Sequence, residues 1–253
     1  MKTGLTLEQL AAEITRQQSV KEDYVVNTGN LRLESYGPDL TLRVLDSDGA
    51  DRIEPLEIGD IAHRQIGTHL SIPAKYYERM RSEDPGLLAH NVNTWLERTP
   101  AQRMIRVLDG KARAYLSNRY LRMDNYSIAS AVLPILAEIP DVRIESCQIT
   151  DSRMYIKAVN PRLQEDVTPG DTVQAGVVIS NSEVGLGSVN IQPLIYRLVC
   201  SNGMVVNDAA TKRNHIGRAT DAEENFQLYS GTKGACHRGK SREEQARPLQ
   251  DQG

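Results

Sequence analysis

GDTVQAGVVISNSEVGLGSVNIQPLIYRLVCSNGMVV, residues 170–206, is the stretch whose reading decides the fold. From Thr172 to Ser180, Val173, Ala175, Val177 and Ile179 alternate with Thr172, Gln174 and Ser180. This is the period of a half-buried strand, which we place at the centre of a sheet. Asn181, Ser182, Glu183, Gly185 and Gly187 then interrupt the pattern with turn-forming residues before Val189 and Ile191 resume a strand. Pro193 cannot donate to a ladder and marks a bulge or an edge. Beyond it, Leu194, Tyr196, Leu198 and Cys200 share a face, and Asn202-Gly203 predicts a two-residue hairpin turn into Met204-Val205-Val206.

Working towards the N-terminus, Val142–Ile149 and Met154–Val159 read as a strand pair turning at Asp151-Ser152 and stopped by Asn160-Pro161, with a polar loop over 162–169. Ile128, Val132, Ile135, Leu136 and Ile139 recur at helical spacing behind Asp124, a candidate cap. Arg103–Ser117 reads as a hairpin turning at Asp109-Gly110. That turn pairs Arg106 with Arg113, points Ile105, Val107, Ala112, Ala114 and Leu116 inward, and points Arg106, Lys111, Arg113 and Tyr115 outward. Residues 58–98 carry three helical segments, with Ile58, Ala62, Ile66 and Leu70 on one face and new starts at Ser71-Pro73 and Pro85-Gly86. Residues 24–33 and 40–45 read as two strands expected to pair with the main sheet. Leu5–Gln17 reads as a helix with Thr6 and Gln9 as a capping box.

Hairpins rather than β-α-β units dominate this order, so the expected fold is α+β: a mainly antiparallel sheet built from hairpins, flanked by helices. The expected domain spans 1–230. Residues 231–253 are too polar to join a core and read as a disordered tail or the end of a truncated chain. At 253 residues, 40% hydrophobic and 25% charged, the chain can bury a sizeable core, built mostly from aliphatic residues because it has one Trp and one Phe.

The strings NSEVGLGS and YRLVCSNGM, with GDTVQAGVVISNSE before them, resemble a phage/plasmid-like protein family catalogued as a domain of unknown function. The likeness extends over about Ile58 to Gly217, through IGDIAHRQIGTHLSIPAKYYERM, ARAYLSNRYLRMDN and KRNHIG. It implies a protein of bacteriophages, plasmids or integrated elements working in the bacterial cytoplasm, and it implies no reaction. The cytoplasmic expectation agrees with three widely spaced cysteines lacking a C-x-x-C pair. It also agrees with the lack of an apolar run long enough for a signal peptide or a membrane span.

Few residues carry chemistry. Gly185-Leu186-Gly187 opens like a dinucleotide loop, but Asn190 stands where a third glycine belongs, and no Gly-Lys-Ser/Thr follows. His63 and His69, six apart, do not share a helix face, and no H-E-x-x-H occurs. Cys200 reads as a small core residue. No catalytic residue, cofactor or metal is therefore assigned. Residues 61–80 invite a helix-turn-helix reading, but a plain packing hairpin is the stronger explanation. Asn181, Ser182 and Glu183 form a polar trio that is either a ligand or metal contact or a turn in which Asn181 and Ser182 bond the backbone and Glu183 pairs with Arg197 or meets solvent.

The basic hairpin is the strongest functional signal. Between residues 98 and 122, seven basic residues (Arg98, Arg103, Arg106, Lys111, Arg113, Arg119 and Arg122) face Asp109 alone, a net of +6 inside a protein of net −3. Like charges paired across a sheet face repel, so something anionic must compensate, either acidic neighbours or a phosphate chain. Arg106, Lys111, Arg113, Arg119 and Arg122, with Tyr115 for base stacking, are the expected nucleic-acid contacts. The expected function is non-catalytic handling of nucleic acid, single-stranded DNA above all, in replication or recombination of a mobile element, with self-association open. The alternative is a protein-interaction or host-interference factor whose basic face meets an acidic partner.

Overall fold

The computed structural model describes residues 4–168, 171–197, 203–205 and 211–213. The Cys200 position, the Asn202 turn position, the Arg197 side chain and the polar stretch 231–253 lie outside the described residues. The fold is α+β, with two mostly antiparallel sheets.

The first sheet has the order β1-β5-β6-β4-β3-β2, formed from β1 (Glu22–Asn27), β2 (Leu31–Tyr36), β3 (Asp39–Val44), β4 (Leu56–Ile58), β5 (Gln102–Leu108) and β6 (Lys111–Ser117). Only β4 against β6 is parallel. The expected N-terminal strands do not extend the main sheet; they join the basic hairpin in a sheet of their own. Three helices follow β4: α2 (Asp60–His69), α3 (Ala74–Glu83) and α4 (Pro85–Arg98). Their apolar sides, including Ala62, Ile66, Tyr77, Leu88, Val92 and Leu96, meet Leu31, Leu33, Leu42, Ile105 and Val107 in the first core. Pro85 stands in the first turn of α4, where its missing N–H costs nothing, and Asp84 caps Leu87 N–H.

The second sheet runs β11-β10-β9-β8-β7, with β12 also on β10. Its strands are β7 (Arg143–Ile149), β8 (Met154–Thr168), β9 (Asp171–Asn181), β10 (Val189–Arg197), β11 (Gly203–Val205) and β12 (Thr211–Arg213). The decisive stretch is thus its middle strand, β9, paired on both edges. Pro193 pairs with Val177 of β9, and on the other edge of β10 it falls between Ile191, the last residue that β12 pairs, and Leu194, the first that β11 pairs. Helices α1 (Leu7–Val20) and α5 (Asn125–Ala137) cover this sheet, burying Leu10, Ile14, Ile128 and Val132 against Cys147, Ile156 and Ile179. Thr6 and Gln9 make the expected capping box on α1.

Two sequence expectations fail here for local reasons. Strand β8 does not stop at Asn160-Pro161; pairing to β9 lapses between Asn160 and Gln164 and then resumes, so the proline sits in an irregularity instead of ending the strand. Gly203 pairs with Tyr196 as a strand residue and so is not the second residue of a two-residue turn; Asn202 lies outside the described residues.

Candidate nucleic-acid interface

The basic hairpin turns at Asp109-Gly110, where both residues have positive φ (52° and 73°), the geometry a two-residue turn requires. Leu108 pairs with Lys111 and Val107 with Ala112, as the sequence predicts. A bulge then intervenes: Arg106 pairs with Ala114, leaving Arg113 as the extra residue on β6. A one-residue slip exchanges the faces of everything beyond it. Tyr115 therefore turns into the first core with Ile105 and Val107 and is 3% exposed, while Ala114 and Leu116 move to the opposite face.

That opposite face is not open to solvent either. Met104, Ala114 and Leu116 pack with Ile61 of α2 and with Val184 from the loop that follows β9. Gln65 ties the two together, its side-chain N–H donating to the Val184 carbonyl and its Oε1 accepting from Tyr115 N–H. Gly185 makes the approach possible: φ is +75°, and a Cβ there would lie 2.6 Å from Leu116 Cδ2. The NSEVGLGS string is thus a docking loop between the sheets.

Charge at this junction is compensated from within. Arg106 is fully buried; it holds Asp23 of β1 through Nε and Nη2, Asp124 at 2.6 Å and the Glu183 carbonyl at 3.0 Å. Burial pushes its proton affinity down, and the two aspartates more than reverse that, so the guanidinium stays charged. Burial likewise pushes the Asp124 carboxyl up, and Arg106 and Lys21 bring it below the ordinary range. Glu183 takes the Arg113 guanidinium on one oxygen and the Asn125 N–H on the other. It thereby binds the first free N–H of α5, where a carboxylate also suits the helix dipole. Asp124 is the residue before α5, but its carboxylate is spent on Arg106 and Lys21 and does not cap. Asn181 donates to Met123 O and Asn125 Oδ1, and Ser182 Oγ accepts from Leu186 N–H.

The predicted site residues therefore separate. Arg106, Arg113, Asn181, Ser182 and Glu183 come together as a buried latch; the gap beside it, lined by Ile14, Lys21, Asn125 and Glu183, has no volume even for water. Tyr115 belongs to the core. Lys111 is partly exposed but paired with Glu57 at 2.5 Å, and Arg122 is 60% exposed with Asp23 3.7 Å away. Arg119 is exposed, with no acidic partner among the described residues. The hairpin's outward basic face thus does not exist as the alternation suggested.

Residues 114–238 match the family described as Domain of unknown function (DUF932). Over these residues the chain is similar to that family. The match starts within β6, later than the extent suggested by the motifs, and runs past the described residues. No curated protein and no solved structure matches the chain. The DUF932 segment includes the docking loop, Glu183 and α5, whereas Arg106, Arg113 and Gln65, which hold that loop, lie outside it.

Also outside the DUF932 segment is a surface that sequence reading missed. A cleft of about 490 Å³ opens between the α2–α3 connection, α3 and α4, with His69, Ser71, Tyr76, Asn91, Trp95 and Thr99 among its lining. Tyr76 and Trp95 are 48% and 43% exposed. Asn91 and Trp95 are four apart on α4 and so share a face. Ser71 holds φ at 56°, a cost that a non-glycine residue bears only where the surroundings impose it. The Arg98 guanidinium lies 5.5 Å from the Trp95 ring centre and the Arg103 guanidinium 5.6 Å from that of Tyr115. The Tyr115 hydroxyl meets His69 Nδ1 at 2.8 Å. Burial, then the Arg103 charge, lowers the His69 pKa to about 4, so the imidazole is neutral at pH 7. Exposed aromatics beside a helix are ordinary singly; two of them lining one cleft, next to cations, could have been suspected from Tyr76, Trp95 and Arg98.

No helix among the described residues is long and apolar enough to cross a membrane. No group of three or more His, Cys, Asp or Glu that could hold a metal ion occurs among those residues.

Proposed function

We propose that the protein binds single-stranded DNA without catalysing a reaction on it, in the bacterial cytoplasm and in the service of a mobile element's replication or recombination. The observation that carries this reading is where the uncompensated cations lie. Of the seven basic residues between 98 and 122, those on the hairpin's inner length are matched: Arg106 by Asp23 and Asp124, Arg113 by Glu183, Lys111 by Glu57. Arg98, Arg103 and Arg119 have no acidic partner among the described residues.

Pairing of Arg103 with Ser117 brings Arg103 and Arg119 to the hairpin end away from the Asp109 turn, the end that α4 enters through Arg98 and Thr99. Nearby Glu97 and Glu78 are occupied by Arg32 and Arg81. Unpaired cations alongside exposed aromatic rings suit a phosphate chain whose bases are free to stack. Titration with a labelled single-stranded oligonucleotide tests the reading. With three phosphate contacts, the logarithm of affinity falls against log salt with a slope of roughly −2. Binding that ignores salt, or no binding, overturns it in favour of a protein partner.

A further inference from the structure

We propose that the cleft between α2, α3 and α4 is a base-binding subsite in which one unstacked nucleobase of the bound strand lies against Trp95 and Tyr76 and is hydrogen-bonded by His69 and Asn91. This rests on the single-strand reading above and adds where a base goes. Four observations support it independently of the cations. The cleft, at about 490 Å³, has room for a flat ring with its sugar. Its two exposed aromatics come from different helices, α3 and α4, so a ring can meet both. Its polar groups are neutral and directional, as recognition of a base edge needs and recognition of a phosphate does not. Its lining includes the strained Ser71, a backbone cost common at ligand clamps.

The donor at His69 is set by a chain of contacts. With the Arg103 guanidinium 5.6 Å from the Tyr115 ring centre, its charge favours the hydroxyl lone pairs on its own side, and we assign the O–H as the donor to His69 Nδ1. Nε2 then carries the ring proton and is a hydrogen-bond donor on a residue lining the cleft. Asn91 Nδ2 donates to the Met80 sulfur, a weak acceptor at 3.1 Å, which leaves its carbonyl oxygen free to accept. One donor and one acceptor on residues of the same lining fit the edge of a base such as thymine or cytosine. Arg98, seated on the Trp95 ring, places a positive charge where the attached phosphate would leave the cleft.

Trp95 is the chain's only tryptophan, so its emission reports this cleft alone. The experiment follows that emission, and in parallel the anisotropy of a labelled strand, during titration with twelve-residue oligothymidylate or with a deoxyribose-phosphate chain of equal length lacking bases. The expected result is quenching by oligothymidylate and little by the abasic chain. Trp95→Ala should bind oligothymidylate roughly 5- to 150-fold more weakly, as for loss of one stacked base, with Trp95→Phe retaining most of the affinity. Asn91→Ala should narrow the preference for thymidylate over abasic strand. Oligothymidylate binding by anisotropy with unchanged emission and an unaffected Trp95→Ala variant would remove the base from this cleft and leave the single-strand reading standing. No anisotropy change with either chain would overturn both.

Discussion

Arg113, the extra residue of the β6 bulge, donates its guanidinium to Glu183 in the loop after β9 and so closes one sheet onto the other. The Arg113 side chain is 14% exposed and the Glu183 side chain 4%. Removing one partner of such a pair strands the other charge away from water. Glu183→Gln should therefore lower unfolding free energy by about 3 kcal/mol, read by urea denaturation, while oligonucleotide affinity of the folded protein stays unchanged. A loss of affinity without a loss of stability would make Glu183 a ligand contact.

Arg106→Ala gives a prediction opposite in sign to one based on like-charge relief. With Arg106 facing Arg113, truncation would ease repulsion. In the bulged register Arg106 faces Ala114 and neutralises Asp23 and Asp124, so truncation should destabilise by about 3–5 kcal/mol. Thermal melting decides between the two, and an unchanged or raised Tm would restore the outward-facing arginine.

Gly185→Ala tests the docking loop. The substitution forces an alanine into φ +75° and brings Cβ within 2.6 Å of Leu116, so a loss of about 1–3 kcal/mol is expected. Wild-type stability would mean that the loop does not seat against Leu116.

Acid should weaken the fold before carboxylates are reached. Burial, aided by Arg81 at His63 and by Arg103 at His69, holds both imidazoles at about 4, below the 6.5 of an unburied ring. Each binds a proton more weakly folded than unfolded. Stability is therefore full above about pH 7 and falls as pH drops from about 6.5 towards 4. Between pH 7.5 and 5 the two should cost roughly 1–3 kcal/mol after allowance for the partial exposure of His69. Denaturant midpoints across this range check it, and His63→Gln should flatten the slope.

Local chemistry made much of the fold readable. Thr6 with Gln9, Asp109-Gly110 and the alternation from Thr172 to Ser180 each act within a few residues, and each produced the element that it predicts. The second sheet and the hairpin's true register were not readable in the same way. Bulging at Arg113 has no strong residue signature, since no glycine marks it, and the partners that favour it come from far away: Asp23 and Asp124 lie 83 and 18 residues from Arg106, and Glu183 lies 70 from Arg113. Alternation alone cannot reveal that both faces of a hairpin are covered. The polar trio at Asn181 stood out because polar residues ending an apolar strand are costly unless satisfied, but only the fold shows that Arg113 and the start of α5 satisfy Glu183.

The proposed nucleic-acid contacts lie at the hairpin's far end and not along its paired length. The most direct measurement compares single-stranded oligonucleotide affinity at fixed salt for Arg98→Ala with Arg119→Ala together against Lys111→Ala, all three positions being exposed enough to spare the fold. The double variant should bind about tenfold or more weakly, with the salt slope reduced by roughly 1.4, and Lys111→Ala should stay within about twofold of wild type because its charge already serves Glu57. Weakening by Lys111→Ala with no effect of the double variant would contradict the account and return the contact to the hairpin face.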